Sequence, residues 1–304
     1  MRRMLLVANP NAHGVTPYAR EVIAGALSSA FKLEELQTLY PGHAVQVARD
    51  AAQDGVDVVA VLGGDGTVNE VVNGIAGSPT ALALIPGGLA NVLARSLGIP
   101  NDPVEATGQL LENAEAKPRR IPLGRIDGRY FAANCGVGFD ATIVKEVERR
   151  QRAKRRGGDW FFVRTGVRRF FRGYDRRTPR VHLVWGDRGG HRRDGLFLAV
   201  VQNVSPFTFL GNRGLRLCPD TLVDAGLDCF AMDSLRTTVA VSVVLRAFGS
   251  GRHVRSRHVV LVRDQRRIEI RCDLPLPVQA DGEYLGERDR VLVEAVPDAL
   301  SILY

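Results

Sequence analysis

No stretch of this chain limits its fold more than Val56–Gly74, VDVVAVLGGDGTVNEVVNG. Val56–Leu62 is a short apolar run rich in β-branched residues, the pattern of a strand buried in a parallel sheet. Gly63-Gly64-Asp65-Gly66 then breaks the run, and three glycines in four positions let a ligand approach the backbone closely. Thr67-x-x-Glu70 reads as a capping box, followed by Val68, Val71, Val72 and Ile75 at helical spacing. The unit is strand, glycine turn and helix N-terminus, which aims N–H groups and the positive end of a helix dipole at one point and suits phosphate. Asp65 would repel that phosphate unless a magnesium ion lay between them. The competing reading is a tight turn whose Asp caps a helix.

The rest of the first third repeats this alternation. Arg3–Ala8 reads as a strand ending at Asn9-Pro10, Thr16–Phe31 as a helix, Leu33–Leu39 as a strand and Gly42–Gln53 as a helix. After the central unit come a strand at Thr80–Ile85 and helices at Ala90–Leu97 and Asp102–Ala116. Alternating strands and helices predict a Rossmann-like α/β domain with a parallel sheet, and ligands on such sheets bind at the carboxyl ends of the strands. The turns 9–14, 63–66 and 86–89 fall on that edge. Past Pro118 the texture changes. Asp127-Gly128 is a two-residue hairpin signal between Arg119–Ile126 and Arg129–Ala133. Helices at about 139–150 and 159–173 follow. Then come short strands at 180–185, 195–202, 226–232, 258–263, 267–272 and 290–295, with a helix at 236–248. The second domain is expected to be mostly antiparallel β. The expected division is residues 1–120 and 121–294.

The chain has 304 residues and four scattered cysteines without a CxxC pair, which points to a reducing cytosol rather than a zinc site or disulfide framework. No run approaches the about 20 apolar residues of a membrane span, and MRRMLLVANPNAHG reads as a first strand rather than a leader. The six histidines show no metal spacing, and most read as surface or turn residues. The net charge of +8 is concentrated: Arg149–Arg177 holds twelve Arg or Lys against two Asp. Phe161, Phe162, Val163, Val167, Phe170 and Phe171 interleave with Arg164, Arg168, Arg169 and Arg172. Either this is a solvated face on a core helix, or it docks to anionic lipid headgroups. No nucleic-acid-binding motif accompanies the charge, so nucleic acid is not an expected partner.

GGDGTVNE, the second glycine turn Ile85-Pro86-Gly87-Gly88-Leu89-Ala90-Asn91, and Asp281-Gly282-Glu283 together resemble the diacylglycerol kinase catalytic-domain superfamily, in its bacterial lipid-kinase branch. NAD kinases and 6-phosphofructokinases carry related turns, and sphingosine kinases are relatives. The resemblance runs from Asn9-Pro10 to Asp281-Gly282-Glu283. It implies that residues 295–304 return to brace the first domain. It implies an ATP site at Asn9, Thr38, Gly63, Gly64, Asp65, Gly66, Thr67, Asn69, Gly87 and Gly88, with Asp65 serving Mg²⁺. It implies Asp281, Glu283 and Asp65 as catalytic, with Asp281 or Glu283 taking the lipid hydroxyl's proton. It also implies a structural-metal loop at Leu222-Val223-Asp224-Ala225-Gly226-Leu227, with Leu222, Asp224 and Leu227 as ligands. Three positions depart from the family pattern: Leu89 for Thr, with backbone donors taking over; Ala225 for the ligand Asp; and Pro122 where relatives often carry Asp.

The expectation is an ATP- and Mg²⁺-dependent lipid kinase acting on diacylglycerol. It would be cytoplasmic and attached peripherally to the inner face of an anionic membrane, with the oligomeric state open and a homo-oligomer among the alternatives. A kinase of a sphingoid base or of NAD, or a catalytically silent nucleotide- or membrane-binding relative, are the alternatives.

Overall fold

The computed structural model describes residues 1–149, 164–186 and 189–304. They form two compact units, Met1–Leu123 with Val296–Tyr304, and Gly124–Ala295.

The first unit holds strands β1 (Arg3–Ala8), β2 (Lys32–Gln37), β3 (Val58–Gly63) and β4 (Ala81–Pro86) and helices α1 (Pro17–Leu27), α2 (His43–Gln53), α3 (Asp65–Ile75), α4 (Val92–Ser96) and α5 (Pro103–Glu112). The strands lie in the order β2-β1-β3-β4, all parallel, and Ser301-Ile302 from the chain's end add in parallel beside β4. Every residue of β3 and β4 is buried, which is why their sequences read as unbroken apolar runs. Ile23, Ala24 and Leu27 of α1 and Leu110 of α5 pack with Met4, Leu6, Val58 and Ala60 in one core. On α3, Gly74 lets α2 come close, for a Cβ there would sit 2.6 Å from that of Ala48. The chain leaves β1 toward β2 and returns on the other side of β1 at β3. A crevice therefore opens at the carboxyl ends of β1 and β3, where doubly wound sheets bind ligands.

The α/β expectation for this half is borne out, with differences at the ends of elements. Helix α1 stops at Leu27 rather than Phe31. The Ser28 and Ser29 hydroxyls donate to the carbonyls of Gly25 and Ala26 (2.8 and 2.7 Å), bonds that compete with continued helix, and Phe31 is buried in the core.

The second unit is antiparallel, as expected. It contains the end of β5 (Arg119–Ile126), β6 (Arg129–Phe131), β7 (Asn134–Gly138), α6 (Phe139–Glu148), β8 (Val181–Trp185), β9 (His191–Leu196), β10 (Leu198–Gln202), β11 (Thr208–Leu210) and β12 (Arg213–Leu215). It continues with β13 (Leu227–Met232), α7 (Thr237–Phe248), β14 (Val259–Gln265), β15 (Arg267–Ala280) and most of β16 (Glu283–Ile302). The path β14-β13-β10-β7-β15-β16 forms the main sheet, with β8 and then β9 added to β15. Leu183, Ala199, Val201, Cys229, Ile268, Ile270 and Val291 share its core. Asp127-Gly128 turns the β5–β6 hairpin with φ of 48° and 80°.

Four details differ from the sequence reading. The run 195–202 is two strands, split where the Phe197 N–H donates to Met232. The last two strands extend well past 267–272 and 290–295, because their exposed charged residues still pair along the ladder: Leu276 with Arg288 and Pro277 with Glu287. The short β11 and β12 carry no alternation long enough to read. His253 is fully buried, its Nε2 2.9 Å from the Leu217 carbonyl, rather than at the surface. Of the helix expected at 159–173, the described part is helical over 164–171, while 150–163, with Phe161, Phe162 and Val163, lies outside the described residues. Among the described residues no helix is long and apolar enough to cross a membrane.

Candidate active site

In the first unit, Asn9, Thr38 and the Gly63–Asn69 turn gather at the carboxyl ends of β1, β2 and β3. The Asn9 N–H donates to Leu62 (3.0 Å) and that of Thr38 to Ala8 (2.9 Å), so both residues extend the sheet at that edge. The Asn9 side chain donates to the Thr67 hydroxyl (2.8 Å). The capping box is not formed. Helix α3 begins at Asp65 with Gly64 as N-cap, and its first backbone bond runs from Val68 to Gly64 (3.1 Å). Thr67 is instead buried against Asn9. Glu70 accepts from the N–H groups of Gly42 and Ala44 (2.9 and 3.1 Å), so it caps the neighbouring α2. Asn69 is buried within α3, and its Oδ1 accepts from Asn73 (3.3 Å). The N–H groups of Gly66 and Thr67 precede the first intrahelical bond, the place where helix N-termini present donors to anions.

The two glycine turns fit together by close backbone approach. A Cβ on Gly88 would lie 2.6 Å from the Gly64 Cα, and one on Gly87 3.2 Å from the Gly63 nitrogen and 2.7 Å from the side chain of Val15. Their backbone donors are already used: Gly87 bonds Gly63 (2.8 Å), and Gly88 bonds Asn91 Oδ1 (2.9 Å). The expectation that backbone donors replace the missing Thr at Leu89 is thus corrected for these two residues. Gly87 and Gly88 shape the turn beneath Gly63–Gly64. Asp65 is half-buried, and its Oδ1 accepts from the N–H of Val92, the first residue of α4 (2.6 Å). The capping alternative for Asp65 therefore has substance, but the helix capped is α4. Magnesium takes one or two protein carboxylates beside phosphate oxygens, and Asp65, a half-buried carboxylate at the glycine turn, has the donor chemistry of that ion.

In the second unit, Asp281 and Gly282 are the two turn residues of the β15–β16 hairpin, at φ 47° and 78°. Asn and Asp tolerate this left-handed region better than other side-chain-bearing residues. The Asp281 carboxylate accepts from three consecutive N–H groups, Ala132 (2.7 Å), Ala133 (2.9 Å) and Asn134 (3.0 Å). Glu283 is exposed and forms a two-pronged ion pair with Arg129. Gln279 ties the turn to its surroundings, accepting from the Gly282 N–H (2.9 Å) and donating to Asn134 (3.0 Å) and Asp140 (2.8 Å). Asp140, in the first turn of α6, was not singled out from sequence. Burial pushes its carboxyl up to about 6, against the bond from Gln279. The sequence shows only an acid in a first turn; its partner lies 139 residues away. Beside Tyr284 is a cavity of about 620 Å³ lined by Lys145, Glu148, Arg149, Tyr284 and Glu287. Lys145 pairs with Glu287 (2.6 Å) and lies over the Tyr284 ring.

The loop 222–227 is held by its own hydrogen bonds. Leu222 accepts from Ala225 (3.2 Å), Gly226 donates to Asp264 (2.7 Å), and buried Asp228 bonds Thr221 (2.7 Å) and the Asp264 N–H (2.8 Å). No cluster of three or more His, Cys, Asp or Glu suited to a metal occurs among the described residues. Of the basic stretch, Arg164, Arg168 and Arg172 are exposed, while Arg169 is turned to Glu146 of α6 and is not part of a free face.

Known proteins resemble this chain in sequence and in fold. The sequence pattern of the diacylglycerol kinase catalytic domain matches residues 3–126, and that of the YegS C-terminal NAD kinase beta sandwich-like domain matches 133–304. The diacylglycerol kinase of Bacillus subtilis (strain 168) is 26% identical over 293 residues, 94% of this chain and 91% of that protein. A probable lipid kinase YegS-like of Stenotrophomonas maltophilia (strain K279a) is 28% identical over 305 residues, covering 97% and 94%. Two solved structures from Bacillus anthracis str. Sterne superpose on the whole chain with TM-scores of 0.80 and 0.73, covering 95% and 97% of their own chains; at 23% and 21% identity they show the fold. With both of its halves matched and relatives aligned along nearly its full length, the chain belongs to the diacylglycerol kinase and YegS-like lipid kinase family.

Proposed function

We propose that this lipid kinase transfers the γ-phosphoryl group of ATP, with Mg²⁺, to a lipid hydroxyl, and that diacylglycerol is the acceptor, giving phosphatidic acid. Gly66 carries the reading. It lies in the first turn of α3, needs no left-handed backbone, and a Cβ there would meet nothing within 4 Å. Glycine inside a helix costs about 0.5–1 kcal/mol relative to alanine. Among the described residues no packing repays that cost, as none does for Gly25 in α1 or Gly108 in α5; Gly66 differs from these in lying at the carboxyl end of β3, in the first turn of α3, where a phosphate against the backbone would repay it. The N–H groups of Gly66 and Thr67 bind that phosphate, Asn9 orients Thr67 beneath it, and Asp65 faces the metal. A magnesium ion held by Asp65 would supply charge neutralisation at the phosphates.

In the second unit Asp281 accepts the proton of the attacking hydroxyl. Three backbone donors fix the position and orientation of its carboxylate. Glu283, held by Arg129, sets the polarity around it. The exposed Arg164, Arg168 and Arg172 draw the protein to the anionic inner face of the membrane, where such a hydroxyl lies. The test is incubation with γ-labelled ATP, magnesium and a panel of diacylglycerol, sphingoid base and NAD. Label in phosphatidic acid is the expected result. Label in NAD or sphingoid base alone would replace the acceptor, and label in none would leave a nucleotide- or membrane-binding relative.

A further inference from the structure

Helix α7 is apolar on both faces. Val243 and Ala247 are buried in a core with Phe197, Phe230 and Met232. The opposite side presents Val241, Val244 and Leu245, which are 50%, 45% and 67% exposed, with Phe248 continuing the row at the next turn. A helix on the surface of a globular domain ordinarily turns polar residues to water, and one apolar all round is ordinarily covered on all sides. Something therefore covers this face.

The surrounding charge says what. From Ser234 to His258 the chain carries five arginines and no Asp or Glu. Arg236 and Arg246 stand at the two ends of α7, and Arg252 and Arg255, both exposed, follow in the short helix Arg252–Arg255 packed against it. From elsewhere in the unit, Arg176 bonds Thr237 at the start of α7 (3.2 Å), and exposed Arg216 holds the Ala247 carbonyl through its backbone (3.0 Å). A cavity of about 410 Å³ at the same end is lined by Phe171, Arg176, Arg177 and Arg236, among others; Asp175, which also lines it, is paired with Arg180. A second copy of the chain would bring like-charged arginines onto these. An apolar stripe with arginines at both of its ends matches the interface of an anionic bilayer, where hydrocarbon meets phosphate.

We infer that the Val241–Val244–Leu245 face of α7 inserts shallowly into an anionic lipid bilayer while the arginines at its ends bind the headgroups. This deepens the lipid-kinase reading and rests on it for its purpose, though not for its test. Insertion by side chains also adds what charge alone lacks, since electrostatic attraction is screened over about 8–10 Å at physiological salt.

The test is sedimentation with vesicles of phosphatidylcholine, with and without phosphatidylglycerol, using the full chain and a variant carrying Val241→Gln, Val244→Gln and Leu245→Gln. These side chains face water, so the variant should fold, and circular dichroism checks that it does. Binding to the anionic vesicles should weaken by about tenfold or more, the scale expected for losing partial burial of three apolar side chains. Turnover of a short-chain, water-soluble diacylglycerol should be unchanged. An unaltered vesicle affinity in the folded variant overturns the inference. So does concentration-dependent dimerisation of the parent that the variant abolishes, which would make the face a contact between copies. If the parent turns over no lipid yet its vesicle binding depends on these residues, the kinase reading fails and the docking surface stands.

Discussion

Two Asp-Gly pairs, Asp65-Gly66 and Asp281-Gly282, show how one dipeptide serves opposite backbone needs. In the first, the aspartate opens a helix and its carboxylate reaches across to the start of α4, while Gly66 has an ordinary helical backbone and open space above it. In the second, both residues sit in the left-handed region, the turn requires them, and the aspartate collects three N–H donors. Geometry explains Asp281-Gly282 without any ligand. It does not explain Gly66, so the first turn speaks for function through what its own packing leaves unaccounted for.

The largest effect expected concerns the second turn. Asp281→Asn should lower turnover by about 10²–10⁴-fold, the usual loss with a general base. It should also cost about 1–3 kcal/mol of stability, since the new amide NH₂ opposes one of the backbone donors. Glu283→Gln keeps the oxygen that Arg129 grips and should cost much less activity. If kinetics of the two variants show Glu283→Gln to be the more damaging, the base assignment moves to Glu283. Asp65→Asn comes next. It keeps an acceptor for Val92 but loses the charge facing the metal, so turnover should fall by about a hundredfold in a protein that melts normally. Near-normal turnover would reduce Asp65 to the cap of α4.

How much of this could be read beforehand follows from how local each signal is. The buried runs of β3 and β4 and the glycines between them announced the sheet, its edge and its turn, because each depends on neighbours in sequence. Glu70 misled for the same reason: its spacing from Thr67 matches a capping box, yet its partners are Gly42 and Ala44, supplied by the packing of α2 on α3. The Asp281 turn was legible as a turn, and its role came only through family resemblance. Asp140 was invisible, since its environment is built by Gln279 and by the sheet over which it lies. The apolar outer face of α7 was likewise hidden, because sequence periodicity cannot say which side of a helix apolar on both faces meets the core.

Smaller effects sharpen the contrast between packing glycine and ligand glycine. Gly88→Ala should destabilise the protein by about 1–3 kcal/mol, because its Cβ would fall 2.6 Å from the Gly64 Cα. A normal urea midpoint for that variant would contradict the close approach of the two turns. Asp140 offers a pH test. Its carboxyl, raised to about 6 from 3.8, keeps its proton in the folded state where the unfolded chain has lost it. Folding stability should therefore fall as pH climbs from about 4 to about 6, and the penalty should stay constant above that. Asp140→Asn keeps an acceptor for Gln279 and removes the penalty, so it should raise Tm by a few degrees at pH 7 and not at pH 3.5. An equal shift at both pH values would assign the effect to something other than ionisation.

Titration calorimetry of Gly66→Ala beside the parent, with magnesium and either ATP or adenosine, tests the central claim most directly. The variant should be folded and slightly more stable than the parent. It should bind ATP at least about tenfold more weakly, a loss of about 1.4 kcal/mol or more, because the new methyl group stands where phosphate meets the backbone. Adenosine, which has no phosphate, should bind both proteins alike. Equal ATP affinity in parent and variant would contradict the account: the glycine turn after β3 would then not be where this kinase holds its phosphates.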